Sequence, residues 1–159
     1  IPHNTILVTD ELVAIAGNEE EVLAVLAHEQ GHIVRQHAMQ KLIAASSVAM
    51  AWEMIFQDGS SMLTAAAVKL SDADYSKHLE YDADDYAMKH LHGRGISSIH
   101  LSNFLQRVEN LRLSQPKKDE LVIQIELEKW LNTHPEEQER IERIHAFDAK
   151  MSKQAVSRD

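Results

Sequence analysis

Val25-Leu26-Ala27-His28-Glu29-Gln30-Gly31-His32 is the stretch that decides how this chain is read. It sets two histidines four positions apart, with a glutamate directly after the first. In an α-helix, positions i and i+4 lie one above the other on a single face. His28 and His32 then present two imidazoles side by side, able to hold one metal ion. Glu29 can act as a general base toward a water activated by that metal. The helix expected to carry them covers Val22–Leu42. Glu19, Glu20 and Glu21 precede it at the positive end of the helix dipole, and Arg35, His37 and Lys41 lie toward the negative end. Gly31 is a poor helix former, costing about 1 kcal/mol against alanine. Its missing side chain leaves room for another element to approach the metal closely.

Outward from this stretch, the chain is long enough, at 159 residues, to bury a sizeable core as one domain, 1–159. Only five glycines and three prolines argue for helices with short connections and against a sandwich or barrel. The expected class is α+β, mainly α-helical, with a small N-terminal β element at Thr5–Thr9, a β-branched and apolar run. A net charge of −9 makes nucleic acid an unsuitable partner, since phosphate binding needs a basic face. The absence of cysteine leaves histidine and carboxylate as the available metal ligands. The chain opens on Ile1 with no signal-peptide pattern, which reads as an excised domain or processed product. No apolar run reaches the roughly 20 residues of a membrane helix.

Further along, Thr9 or Asp10 is expected to cap a short helix through Ala16. Leu42–Phe56 and Met62–Leu70 read as apolar helices, separated by a turn over residues 57–60. Both are expected to be core or a packed hairpin, the alternative being a surface that faces a missing domain, membrane or partner. Ser71 or Asp72 then caps a helix to about Leu91. A helix after Ser97-Ser98 buries Ile99, Leu101, Phe104, Leu105, Val108 and Leu111, and Pro116 breaks it. Asp119–Leu131 is amphipathic. Pro135 opens a last helix, Glu136–Lys153, with Ile141, Ile144 and Phe147 at helical spacing.

Two histidines do not complete a zinc site, because a catalytic site usually has three protein ligands. Glu80 and Asp84 stand at i and i+4 on the Ser71–Leu91 helix. Glu80 is the candidate third ligand. Asp84 is the candidate acceptor for the second N–H of a ligand histidine. Asp82, Asp85 and His78 are alternatives on the same helix, although Asp82 lies about 200° around it from Glu80. Of the remaining histidines, His37 and His78 are close enough in sequence to join an outer shell. His3, His90, His92, His100 and His145 read as surface or capping residues.

These features together resemble the catalytic domain of the M48 family of zinc metallopeptidases, which includes the CAAX prenyl proteases and HtpX-like enzymes. The likeness is carried by Ile6-Leu7-Val8-Thr9 with Glu11-Leu12, by Val25 to His32 with His37, and by Tyr75-Ser76-Lys77. It continues through Glu80-Tyr81-Asp82-Ala83-Asp84, Thr133-His134-Pro135 and Arg140-Ile141. Gln30 stands where the family often has an apolar residue. The resemblance implies a zincin-like (gluzincin) fold with one zinc per chain, held by His28, His32 and Glu80, with Glu29 as base and Asp84 supporting the ligands. It implies that His134 faces the active site, as a candidate to stabilise the oxyanion, and that Arg140 holds the site through its acidic residues. The expected activity is a zinc endopeptidase on extended or misfolded polypeptide segments, with the run Ile6, Leu7, Val8 as an edge that pairs with substrate. A latent zinc-bound chaperone-like or binding domain is the alternative. By the same resemblance, the setting is the bacterial periplasm or a membrane-associated full-length protein with accessory segments.

Overall fold

In the computed structural model, residues 5–56, 61–114, 125, 127, 130, 131, 134 and 138–156 are described, with backbone alone for 56, 61–75, 155 and 156. The Thr9 hydroxyl accepts from the Leu12 N–H at 3.2 Å and caps α1, Asp10–Ile15. Asn18 caps α2, Glu19–Val34, by accepting from the Glu21 N–H at 2.8 Å, while the Glu21 carboxylate reaches back to the Gly17 N–H at 2.8 Å. This reciprocal pairing resembles a capping box, and it starts α2 at Glu19, ahead of the expected Val22. Glu21 is itself buried, and Arg107 closes against it at 3.2 Å.

The helix does not run on to Leu42. Arg35 and Gln36 form a turn, and Gln36 adopts φ 57°, a left-handed conformation that costs a non-glycine residue about 1–2 kcal/mol. The chain restarts as α3, His37–Phe56. It then forms α4, Ser61–His92, one helix where the sequence suggested two. Ser71 and Asp72 sit inside it as ordinary helical positions, because no proline or glycine falls between Ser61 and His92 to end it. Gly95, at φ 72°, follows its end, and α5 spans Ile99–Leu113. The last helix, α6, spans Gln138–Val156. The expected turn over 57–60 and the Pro116 break lie outside the described residues. Of the Asp119–Leu131 stretch, Ile125, Leu127, Trp130 and Leu131 are described, and they are helical.

α2 lies against α3, α4 and α5, and α6 closes over α4 and α5. One core joins Ala24 and Ala27 of α2 to Ala87, Met88 and Leu91 of α4, Leu101 and Leu105 of α5, and Ile141 and Ile144 of α6. A second gathers Ile15, Val25, Phe104, Val108 and Leu127. The buried face predicted for α5 is the one observed, with Ile99 and Leu111 at its half-buried margins. The apolar run of α3 behaves differently from the core expected of it. Leu42, Ile43, Met50, Met54 and Ile55 are exposed, because α3 is flanked by α4 and, at its start, α2, and its other sides are open among the described residues. Among the described residues, no helix is long and apolar enough to cross a membrane.

Thr5–Thr9 forms no strand ladder among the described residues. A strand is defined by a partner that takes its backbone hydrogen bonds, and none is present there. Side-chain type alone does not supply one. Gly31 fulfils its expectation. A Cβ built on it would sit 3.0 Å from both the Cα and the carbonyl oxygen of Ala83, so α2 and α4 touch backbone to side-chain-free backbone beside the histidines. Gly31→Ala is therefore expected to destabilise the fold by about 1–3 kcal/mol, the range for overpacking, despite the better helix propensity of alanine. Urea unfolding of the variant checks this; a gain in stability would mean that the two helices can separate freely.

Candidate metal centre

α2 projects His28 and His32 with their Nε2 atoms 3.0 Å apart. From α4, Glu80 brings Oε2 to 3.2 Å from the His28 Nε2 and Oε1 to 3.3 Å from the His32 Nε2. His134 places Nδ1 3.3 Å from Glu80 Oε2 and 3.4 Å from His28 Nε2. One donor atom from each of these four residues lies within 4.8 Å of the others. Donors around a tetrahedral zinc, at about 2.0–2.1 Å from the ion, stand about 3.3 Å from one another. The observed separations match that spacing. The buried Glu80 Oε1 accepts no hydrogen bond among the described residues. Two imidazole nitrogens and an unsatisfied carboxylate oxygen converging this closely call for a cation, and the His/Glu donor set suits zinc.

The groups behind the donors are equally ordered. His28 Nδ1 lies 2.9 Å from Asp84 Oδ1. Arg140, from α6, is buried and grips Asp84 with both prongs, Nε to Oδ2 at 2.7 Å and an Nη to Oδ1 at 2.8 Å. Its other Nη lies 3.2 Å from Glu80 Oε2. Burial works against protonating His28, but hydrogen bonding to Asp84 and Glu80 outweighs it and raises its pKa to about 9. Burial alone would raise the Glu80 carboxyl; contacts from His134, His28 and His32 overturn this and hold it well below the usual carboxylate range. Burial lowers His32. At neutral pH a metal entering this site would displace a proton, as metal binding to histidine sites does.

Glu29 lies outside the donor cluster, and its Oε1 is 3.3 Å from His134 Nε2. Glu29, His32 and His134 border a cleft of about 440 Å³. Ile6, Leu7, Val8, Leu26, Ile33 and Met39 supply much of its apolar wall. The cleft runs beside the donors.

The structure brings His28, Glu29, His32, Glu80, Asp84, His134 and Arg140 together in this region and puts Ile6, Leu7 and Val8 on the cleft wall. His134 goes beyond its expected place beside the metal, because it is close enough to be a fourth ligand. The flanking Thr133 and Pro135 lie outside the described residues. Of the two outer-shell candidates, His37 reaches the site, with Nδ1 2.8 Å from His32 Nδ1, and His78 is exposed on α4. Asp82 stands outside the group of four converging donors and contacts His37 at 3.3 Å. Sequence reasoning missed Trp130, whose ring stacks on His134 with centroids 5.1 Å apart. A tryptophan in an amphipathic stretch carries no signal that separates this role from core packing.

Two histidines one turn apart, a carboxylate from a facing helix and a glutamate at the mouth of a cleft are the parts of a metallopeptidase-type centre. The chain belongs to peptidase family M48, whose family model matches residues 1–148. With that membership comes the class of zinc-dependent metalloproteases. The chain is similar to the metalloprotease LoiP of Escherichia coli (strain K12), 31% identical over 100 residues that make up 58% of this chain and 40% of LoiP. It is also similar to the metalloprotease YcaL of the same strain, 32% identical over 88 residues, 51% of this chain and 35% of YcaL. The matched stretch thus spans two fifths or less of these relatives. No solved structure matches the chain.

Proposed function

We propose that this chain is a zinc endopeptidase domain of zincin-like (gluzincin) fold that cleaves extended or misfolded polypeptide segments. The observation that carries the reading is the convergence of His28, His32 and Glu80 at zinc spacing, with Glu29 beside them at an open cleft. His28, His32 and Glu80 would hold a zinc ion, which would supply a water of lowered pKa and polarisation of a carbonyl. Glu29 takes the proton of the attacking water on its carboxylate and later hands it to the leaving amine. Asp84, fixed by Arg140, holds His28 in the tautomer that offers Nε2. His134 donates from an imidazole nitrogen to the oxyanion that forms on the attacked carbonyl.

Substrate binding follows from the cleft. Thr5, Ile6, Leu7 and Val8 line it, and with no ladder partner among the described residues the backbone of Ile6, Leu7 and Val8 is the small β element to which an extended chain adds as a strand. Main-chain pairing tolerates many side chains but demands an unfolded segment. The apolar walls favour a large apolar side chain next to the scissile bond.

The position of His134 supports a second reading. Four protein ligands are the mark of a closed, structural zinc site, whereas a catalytic site keeps one position open. A chain held with His134 on the metal would be a latent zinc-bound binding domain with little peptidase activity.

The deciding experiment measures zinc content and casein cleavage together. About one zinc per chain is expected in the wild type, lost in Glu80→Ala along with cleavage, and chelator should abolish activity until zinc is restored. Undiminished zinc in Glu80→Ala would move the third ligand elsewhere. His134→Ala separates the two readings: as an oxyanion donor, its loss lowers turnover about 10²–10³-fold. Under the latent reading the same variant gains activity.

A further inference from the structure

We propose that His37 is a positioning residue that fixes the tautomer and orientation of the ligand His32, and that Asp82 anchors it. The inference rests on the reading of the site as a zinc centre, and it concerns protons that no part of that reading assigns. For His32 to offer the Nε2 lone pair to a metal, its own proton must sit on Nδ1. That Nδ1 faces His37 Nδ1 at 2.8 Å. Two nitrogens this close need one proton between them, so His37 Nδ1 is bare and accepts. His37 then carries its proton on Nε2. The Nε2 in turn faces Asp82 Oδ2 at 3.3 Å, an oxygen that can only accept when ionised. No other tautomer of His37 leaves both of its contacts satisfied while His32 binds metal. Arg35 Nε lies 3.5 Å from the same Asp82 oxygen and steadies it.

Two independent features agree with this role. His37 is 1% exposed, although it opens a helix at a turn, where a histidine is ordinarily solvated. The turn that delivers it puts Gln36 at φ 57°, and backbone strain of this kind persists where the surroundings require it. His37 does not compete for the metal, because it meets His32 on the ring edge away from the donor cluster. The two ligand histidines are thus supported differently. His28 meets a carboxylate directly through Asp84, and His32 meets one through an intervening imidazole.

The test measures zinc affinity by chelator competition in the wild type, His37→Leu, His37→Asn and Glu80→Ala, with folding checked by circular dichroism. His37→Leu is expected to bind zinc about 10–100-fold more weakly, the usual cost of losing such support. His37→Asn, whose amide oxygen can take the place of Nδ1, should recover most of that loss, which a purely packing role would not predict. Nitrogen-15 spectra of the zinc-loaded wild type should show the proton on Nδ1 of His32 and on Nε2 of His37. Unchanged affinity in His37→Leu beside a Glu80→Ala that loses zinc overturns the role of His37 and leaves the centre standing. A His37 proton found on Nδ1 overturns it even if the leucine variant does not fold. A folded wild type that takes up no zinc overturns both.

Discussion

Replacing Glu29 by glutamine is expected to lower turnover about 10⁴-fold, the upper end of what a positioned general base contributes, with zinc still bound at the wild-type level. The two halves of this expectation have separate causes. Glutamine has nearly the shape of glutamate but cannot accept a proton at neutral pH, so the step in which water loses its proton is stranded. Zinc stays because Glu29 is not one of the four converging donors. Its side chain is only a quarter exposed and meets His134 Nε2 at 3.3 Å, so the amide can keep a hydrogen bond there and the fold is spared. Steady-state cleavage of an unfolded substrate, run beside metal analysis, checks both halves. Cleavage at the wild-type rate would remove Glu29 as the base; loss of zinc would make it a ligand.

The largest effect on stability is expected from Arg140→Met, about 3–5 kcal/mol, the cost of stripping one partner from a buried ion pair. Arg140 is 1% exposed, and so are both carboxylates it serves, Asp84 and Glu80. Its two bonds to Asp84 form a planar fork, the strongest arrangement of this pair. Methionine fills much of the volume and leaves two buried carboxylates without their guanidinium. The pH dependence has a definite sign. Burial alone would raise the Asp84 carboxyl, but the Arg140 guanidinium outweighs it, so the folded value lies below the ordinary one of 3.8. The contribution of the pair is therefore fully present above pH 3.8 and is lost as pH falls through the lowered folded value. Urea unfolding of the metal-free proteins should show the full gap at pH 7 and a smaller one in stronger acid. An equal gap at both would mean that Arg140 acts through packing alone.

Much of the site was legible because its parts are local. His28, Glu29 and His32 fit one helical turn, and Glu80 and Asp84 fit another, so spacing alone could align them. Asp82 was removed from the ligand set by the same arithmetic, and the structure puts it on His37 instead. Helix ends were less legible. The turn at Arg35 and Gln36 carries no glycine or proline to announce it, and a glutamine at positive φ is invisible to pattern. The missing break at Ser71-Asp72 shows the converse, a capping residue inside a helix that nothing else stops. The exposure of Met50, Met54 and Ile55 was misread for a related reason. An apolar run shows what a segment prefers to touch, not whether a neighbour is there to touch it.

By itself, then, the sequence determined a mainly helical chain, a paired-histidine motif and a second helix with a carboxylate at the right pitch, because each rests on contacts within a turn or two of backbone. The resemblance led to the expectation of His134 and Arg140 at the site, but only the tertiary structure decided that His134 comes within reach of the donors, that Arg140 contacts both Asp84 and Glu80 from α6, and that His37 folds back onto His32. The first two join residues more than fifty positions apart, so they depend on how whole helices pack. The third spans five positions, and it depends on a left-handed turn that no local preference announces.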